Sequence, residues 1–317
     1  MLEMIGMVGG RLNGDDEAQA NRDSGEIAPP PSAARRAGRL SGRRFEYNDG
    51  MFDSTSYATV ADDLGRTVKI AAPPRRIVCL CPSLTETLFD LGAGERVVGR
   101  TRYCVQPAGL VERVTTVGGT KDVDVEKIRE LKPDLVIAEK EENPRATVEE
   151  LAKEWPVYVF DVTDFESALR CISTLGTLTD SSAAAEEYVR RIRTAFAALR
   201  PLPPTPAAYL IWRNPCMAAG RGTFIHAMLE KCGFVNVCAS ADERYPRVDV
   251  ETLRALKPAC LLLSSEPFPF DESHRVELSR QLPGTNVVCV DGQTFGWYGT
   301  RMARAGEELG RVIEGFR

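Results

Sequence analysis

The side chains best suited to hold a ligand lie in loops that follow predicted buried strands. Ligands of open α/β sheets collect beyond the carboxyl ends of the strands. One such loop follows the apolar residues 134–138, and another follows the apolar residues 260–263. The candidate ligand-binding residues of these two loops are Glu141, Glu142, Asn143, Glu266 and Phe268.

Three further loops and one helix start contribute aromatic and cationic side chains. Flat, rigid aromatic rings in a cleft suit a large planar ligand. Trp212 and Phe295 could instead pack the interior of a lobe, whereas the aromatic residues as a set favour a cleft. The turn at residues 221–223 opens a predicted helix and could hold an anion. The candidates from these segments are Tyr103, Cys104, Trp212, Arg213, Arg221, Trp297 and Tyr298.

Signatures of catalysis are few. No Gly-x-Gly-x-x-Gly follows a predicted strand, and the chain has neither a P-loop nor a Gly-x-Ser-x-Gly elbow. Cys104 follows an arginine and a tyrosine, which makes it a candidate for an activated thiol. The sequence therefore predicts a binding protein rather than an enzyme. An enzyme or ligand-handling factor that uses Cys104 and Glu142 is the alternative.

An internal repeat divides the chain into two related halves. Residues 123–133 (VDVEKIRELKP) return as residues 248–258 (VDVETLRALKP), with 8 of 11 positions identical and an offset of 125 residues. This offset exceeds the roughly 20 to 50 residues of solenoid and propeller repeats, so we expect two lobes. By the same offset Glu266 is the equivalent of Glu141, so the two loops occupy equivalent positions in the two lobes. They are predicted to face each other across the cleft.

The repeated segment also carries a pair of acidic residues. Asp124 and Asp249 stand where helix N-caps belong, and Glu126 and Glu251 lie in the first turn. Compensation of the helix dipole explains each acid by itself. A pair of exposed carboxylates, one per lobe, would also suit docking onto a two-fold partner that bears arginines.

Buried strands alternate with helical patterns along both halves, which indicates parallel sheets covered on both faces. We predict a tail that is disordered or follows a misassigned start, one lobe, a connecting helix, and a second lobe; their bounds are residues 1–54, 55–178, 179–201 and 202–317. Strands are predicted at residues 76–81, 96–99, 134–138, 157–160, 207–212, 260–263 and 286–290, and a hairpin at residues 57–70. Helices are predicted at residues 83–91, 124–131, 147–153, 166–175, 181–199, 223–232, 249–256, 272–281 and 300–316.

Composition limits the class of partner. The net charge of −5 gives no basic excess for nucleic acid. No run of about 18 apolar residues is present to span a membrane. Nine cysteines without a Cys-x-x-Cys pair, and only two histidines, argue against a zinc site, so no metal site is predicted. No secretory signal is evident as the sequence is written, and the cysteine usage fits a reducing compartment.

Several segments together resemble a known family. Residues 82–88 (PSLTETL), residues 102–107 (RYCVQP), both repeated blocks and the joining helix are similar to the helical-backbone metal receptors. These are the substrate-binding proteins of ABC importers for cobalamin and iron-siderophores, and the resemblance covers about residues 55–317. It implies the class III architecture, with two Rossmann-like lobes bridged by one long α-helix. The ligand, a cobalamin-like corrinoid or another metal chelate such as an iron-siderophore or haem, would lie between the lobes.

The resemblance also implies residue roles and partners. Glu126 and Glu251 match the glutamates that meet arginines of the permease dimer. Tyr103 matches an aromatic residue that contacts the corrin, and Tyr245 stands where cobalamin-binding members have a tryptophan. A monomer without a resident cofactor is expected.

Two departures qualify the resemblance. The cobalamin pocket of the family has other tryptophans, and the positions that correspond to them in this chain lie near Thr120 and Glu139. The match to that pocket is therefore incomplete. Glu139, Glu141 and Glu142 make the rim of the first lobe acidic, which disfavours an anionic siderophore more than a neutral or cationic corrinoid.

Localisation stays open, because the family is periplasmic whereas no signal peptide is evident.

Overall fold

A computed structural model describes residues 46–48, 57–71 and 73–317 of the chain. The strands are β1 (Glu46–Asn48), β2 (Tyr57–Ala61), β3 (Thr67–Ala71), β4 (Ile77–Cys79), β5 (Val97–Arg100), β6 (Thr115–Thr116), β7 (Leu135–Glu139), β8 (Val157–Phe160), β9 (Thr205–Trp212), β10 (Met217–Ala218), β11 (Phe234–Asn236), β12 (Cys260–Ser264) and β13 (Asn286–Val290). The α-helices are α1 (Pro82–Asp90), α2 (Val125–Leu131), α3 (Arg145–Leu151), α4 (Phe165–Leu178), α5 (Ser182–Ala197), α6 (Phe224–Lys231), α7 (Val250–Leu256), α8 (Glu272–Gln281), α9 (Gly292–Gly296) and α10 (Met302–Gly315).

The predicted hairpin is present as the antiparallel pair β2 and β3, and β1 extends it. Its turn is fixed by Asp62, whose Oδ1 accepts the backbone N–H groups of Leu64 (3.0 Å) and Arg66 (2.8 Å). Gly65 supplies the positive φ of 77° that the turn requires. Of the predicted tail at residues 1–54, only the strand β1 is described; the other positions lie outside the described residues.

The first lobe contains a five-stranded sheet in the order β6-β5-β4-β7-β8, with every pair parallel. Every residue of β4, β7 and β8 is buried. Such uniform burial follows because crossover helices cover both faces of a parallel sheet. At the carboxyl edge of this sheet, β7 ends at Glu139 and continues into the acidic loop.

The second lobe contains the order β10-β9-β12-β13, with β11 alongside β9. The pairs of β9 with β11 and β12, and of β12 with β13, are parallel, whereas the short β10 is antiparallel to β9. A core that includes Leu210, Leu261 and Leu263 packs beneath it. Sequence patterns identified β9, β12 and β13 but missed β10 and β11, because two- and three-residue strands carry no measurable periodicity.

The bridging helix is α5, which connects the two lobes in the chain after α4. Ile192 and Phe196 are buried on its inner side, and the Phe196 ring lies 4.8 Å from that of Phe165 on α4. The last helix, α10, packs along α5 with Gly306 close to Ala195. A groove of about 610 Å³ runs between α5 and α10, away from the loops at the sheet edges.

The segment before α10 also reaches the first lobe. The carboxylate of Glu86 on α1 is almost fully buried and accepts Nε (2.7 Å) and Nη2 (2.9 Å) of Arg301. The backbone N–H of Thr300 donates to Thr87 Oγ1 at 3.2 Å. Gly299, with a φ of 84°, lies so close to Thr87 that an added Cβ would clash with it. These contacts of Arg301 and Thr300 with α1 hold the two lobes together in addition to the bridging helix. The predicted fold class, two Rossmann-like α/β lobes bridged by a helix, is confirmed.

In the part of the chain that the structure describes, none of the helices has the length and apolar character needed to span a membrane.

Candidate ligand-binding cleft

Loops from the two lobes meet at Glu141, the second residue after β7. Its Oε2 accepts the hydroxyl of Tyr245 at 2.9 Å, and its Oε1 lies 2.7 Å from Arg244 Nη1. Arg244 and Tyr245 belong to the loop before α7 in the second lobe. Two residues predicted to line the cleft, Glu141 and Tyr245, are thus brought together across it by direct contact.

The floor of the cleft is formed by Glu139, the last residue of β7, which is 2% exposed. Its Oε2 accepts the backbone N–H groups of Glu141 (2.7 Å) and Glu142 (2.9 Å). Among the described residues, no hydrogen-bond partner reaches its Oε1. Burial, and then the nearby Glu142, raise the pKa of Glu139 to about 8.

Asn143 fixes this loop from beneath. Its amide nitrogen donates to the carbonyls of Leu80 (3.3 Å) and Thr120 (3.0 Å), and its amide oxygen accepts the N–H of Glu139 (2.9 Å). The side chain is only 3% exposed. Asn143 therefore positions the acidic loop. It was predicted to contact the ligand, but its amide group is already hydrogen-bonded within the protein.

Glu142 follows β7 in the first lobe, and Glu266 follows β12 in the second. Burial raises the pKa of both carboxyl groups, and the charge of Glu142 contributes to the raised pKa of Glu266. The repeat offset predicts that the loop after β7 faces the loop after β12, and this stays a prediction. The ammonium group of Lys121 donates a hydrogen bond to the backbone carbonyl of Glu141.

The aromatic candidates divide by exposure. Trp297 is 8% exposed; its indole N–H donates to Glu266 Oε1 at 2.5 Å, and the Arg301 guanidinium lies 4.9 Å from its ring centre. Tyr298 is also buried, with its hydroxyl 3.2 Å from Cys81 Sγ. These two side chains therefore support the wall of the cleft.

Tyr103, Trp212 and Phe268 keep accessible surface. Tyr103 is 46% exposed. Trp212 is partly exposed and meets Phe268 edge-on, with ring centres 5.9 Å apart. Phe295, by contrast, is fully buried against Tyr209, which is the interior packing considered as its alternative role.

The prediction of Cys104 as an activated thiol is wrong. Its side chain is fully buried, and the hydroxyls of Thr85 and Thr101 each lie 3.2 Å from Sγ. Burial raises the pKa of this thiol, so the reactive thiolate is disfavoured. The two histidines occupy other sites: His226 contacts Asn236, and His274 caps α8 with Asp271. Cys104 packs beneath the loop that presents Tyr103.

The two arginine candidates have different surroundings. Arg213 is bound by Glu277, with Nη2 2.7 Å from the carboxylate. Arg221 is exposed in the turn before α6. The cationic groups that contact Glu141 are instead Lys121 and Arg244, which sequence reasoning missed. Arg244 adjoins Tyr245 in sequence, but no local pattern indicates that it reaches Glu141.

The repeated segments fold into equivalent helices, α2 and α7. Asp124 accepts the N–H of Lys127 (3.1 Å), and Asp249 accepts that of Thr252 (2.7 Å), so both N-caps are as predicted. The first-turn acids are almost equally exposed, at 80% for the Glu126 side chain and 79% for that of Glu251. Each pairs with the arginine three residues later, so the two lobes present matching acidic surfaces.

Comparisons with known proteins identify the family of this chain. The family described as periplasmic binding protein matches residues 77–278. A vitamin B12-binding protein of Vibrio parahaemolyticus is 26% identical over 251 residues, covering 77% of this chain and 90% of that protein. One from Vibrio vulnificus is 27% identical over 199 residues, covering 61% of this chain and 72% of its own.

Solved structures share the fold. The periplasmic vitamin B12 binding protein of Vibrio cholerae has a TM-score of 0.65 at 21% identity, covering 76% of this chain and 97% of that one. A periplasmic heme-binding protein from Roseiflexus has a TM-score of 0.65 at 22% identity, with the same coverage. The architecture is that of class III periplasmic binding proteins. Because the family match spans more than half of the chain, this protein belongs to the periplasmic binding protein family.

Proposed function

We propose that this protein holds a metal chelate, foremost a cobalamin-like corrinoid, between its lobes and delivers it to an ABC importer. The contact of Tyr245 and Arg244 with Glu141 carries the proposal, because it makes one site from loops of both lobes. Partly exposed aromatic rings in loops of both lobes suit a large planar ligand. Relatives named vitamin B12-binding proteins support the choice of ligand.

The proposal includes the predicted organisation. Residues 55–178 and 202–317 act as the two lobes, residues 179–201 connect them, and the protein works as a monomer without catalysis. The alternative, an enzyme using Cys104 and Glu142, loses its nucleophile because that thiol is buried and its pKa is raised.

Ligand titration tests this function. Cyanocobalamin, haem and a ferric hydroxamate are added separately while absorbance and tryptophan fluorescence are followed. Saturable binding of at least one chelate is expected, with a dissociation constant of about 1 μM or tighter, equivalent to about −8 kcal/mol. Tyr245→Ala should weaken that binding, because it removes an aromatic side chain at the junction of the lobes. Failure of all three chelates to bind would refute the proposal.

The docking role of α2 and α7 is tested separately. Replacing Glu126 and Glu251 together by alanine should leave chelate affinity unchanged and weaken association with the permease by about tenfold or more, because charged pairs at an interface are lost. Pull-down with detergent-solubilised permease measures the effect.

The control for docking is the double variant Glu187→Ala/Glu272→Ala. These glutamates are also exposed and also pair with an arginine three residues later, on α5 and α8. Equal loss of association in both double variants would show that the effect is one of general charge, and Glu126 and Glu251 would then be helix-terminal acids only.

A further inference from the structure

Two side chains of the second lobe hold one carboxylate of the first lobe. Glu141 Oε2 accepts the hydroxyl of Tyr245 at 2.9 Å, and Glu141 Oε1 lies 2.7 Å from Arg244 Nη1. The Glu141 side chain is 24% exposed and that of Arg244 is 32% exposed. The ion pair is therefore partly shielded from water, which strengthens it relative to an exposed pair. We refer to these three residues as the latch.

The first-lobe end of the latch has a fixed base. The backbone N–H of Glu141 donates to Glu139 Oε2 at 2.7 Å, and the Lys121 ammonium donates to the carbonyl of Glu141. Asn143 fixes the same loop through two backbone carbonyls. Glu139 ends β7, which is paired with β4 on one side and β8 on the other. The backbone that carries the Glu141 side chain is therefore tied to the sheet.

The second-lobe end of the latch is fastened to β10 and the turn after it. The carbonyl of Arg244 accepts the N–H of Gly220 at 2.7 Å, and the carbonyl of Pro246 accepts the N–H of Ala218 at 3.0 Å. An added Cβ on Gly220 would lie 2.9 Å from the carbonyl oxygen of Arg244, so the two segments are closely packed. The Arg244 guanidinium also donates to the carbonyl of Gly222. This loop therefore has little freedom to follow the first lobe when the lobes separate.

We infer that the latch opens each time a ligand enters or leaves the cleft, so that Arg244 controls the rate of ligand exchange. A chelate that lies between the lobes needs them to separate as it passes. Hydrogen bonds are lost beyond about 3.5 Å, so contacts of 2.7 and 2.9 Å between two fixed bases break when the lobes separate. The inference rests on the proposed function, because it concerns exchange of the same ligand.

The same opening serves both directions of exchange. Loss of the latch makes the separated arrangement of the lobes easier to reach with the ligand outside and with the ligand inside, so entry and exit should accelerate together. The dissociation constant is the ratio of the exit rate to the entry rate and should change less than either rate. A side chain that only binds the ligand would instead change mainly the exit rate.

Stopped-flow mixing measures both rates with whichever of cyanocobalamin, haem and the ferric hydroxamate binds. Arg244→Gln is expected to raise the entry rate and the exit rate by about tenfold, because it removes the charged half of the latch. The control Arg275→Gln removes an arginine of similar exposure, 37%, whose partner Glu272 lies on the same helix, α8. The control should keep the wild-type rates. A rise in only one of the two rates of Arg244→Gln, or in neither, would overturn the inference.

A double-mutant cycle assigns the rate effect to the ion pair. Glu141→Gln and Arg244→Gln break the same contact, so the double variant should exchange ligand no faster than the faster of the single variants. Any separate contact of Glu141 with the ligand cancels in the cycle. Independent, multiplying effects of the two substitutions would show that Arg244 acts through other contacts, against the inference.

Distances measured without ligand separate this inference from the proposed function. Nitroxide labels are introduced as unnatural amino acids at Glu150 on α3 and Arg280 on α8, which are exposed positions, one in each lobe. Pulsed electron paramagnetic resonance should give longer and broader distances in Arg244→Gln/Tyr245→Phe than in the wild type, because this double variant removes both contacts of the latch. Arg275→Gln should match the wild type.

The outcomes of the two experiments are distinguishable. Identical distances in the wild type and the latch variant would overturn the inference, whatever the ligand does. If no chelate binds, the proposed function fails, while the distances still decide whether the latch holds the lobes together.

Discussion

Replacing Glu86 by glutamine is expected to lower the free energy of unfolding by about 3–5 kcal/mol. The Glu86 side chain is 3% exposed and binds Arg301, which is 11% exposed, through both oxygens. Arg304 adds a third contact at 2.9 Å. Glutamine keeps one acceptor oxygen and no charge, so the buried guanidinium of Arg301 loses its counter-ion. Equilibrium unfolding in urea, followed by circular dichroism, measures the loss.

The matched control is Glu187→Gln. Glu187 also binds an arginine through both oxygens, Arg190, but this pair is exposed on α5. Exposed pairs contribute little, so the control should lose less than about 1 kcal/mol. Similar losses in the two variants would contradict the view that α1 and Arg301 form a buried ionic joint between the lobes.

Replacing Glu139 by glutamine is expected to change how stability depends on pH. The pKa of Glu139 is raised from its ordinary 4.5 to about 8 in the folded chain. Between these values the unfolded chain has released a proton that the folded chain still binds. The free energy of unfolding of the wild type should therefore fall as pH rises through this window, with Glu139 contributing about 4 kcal/mol.

The Glu139→Gln variant carries no titrating proton at this position, so its stability should decline less between pH 5 and pH 9. Unfolding in urea at both pH values, for both proteins, gives the difference. The other carboxyl groups with raised pKa values, Glu141, Glu142 and Glu266, impose the same direction on both proteins, so the difference between them isolates Glu139. Glu130→Gln, at an exposed site on α2, should follow the wild type. Identical slopes for wild type and Glu139→Gln would contradict a buried, protonated Glu139.

Both predictions concern residues that hold or line the junction of the lobes. Glu86 reaches Arg301, whose guanidinium lies over Trp297, and Trp297 donates to Glu266. A chain of contacts thus connects α1 in the first lobe with the acidic loop of the second. The stability of the fold and the charge of the cleft therefore depend on adjoining side chains.

The sequence by itself predicted the features that depend on local patterns. Continuous apolar runs identified the buried strands, and the repeated block identified α2 and α7 with their caps at Asp124 and Asp249. These succeed because a cap or a buried strand is specified by neighbours within a few residues. The repeat offset also predicts that the loops after β7 and β12 face each other, which stays a prediction.

Only the tertiary structure decided which candidates meet and what state they are in. Glu141 pairs with Tyr245 across 104 residues of sequence, and Glu86 pairs with Arg301 across 215. Cys104 looked reactive beside Arg102 and Tyr103, yet the fold buries its thiol. Burial and long-range pairing depend on how segments that are distant in the sequence pack against each other, and no local pattern records that packing.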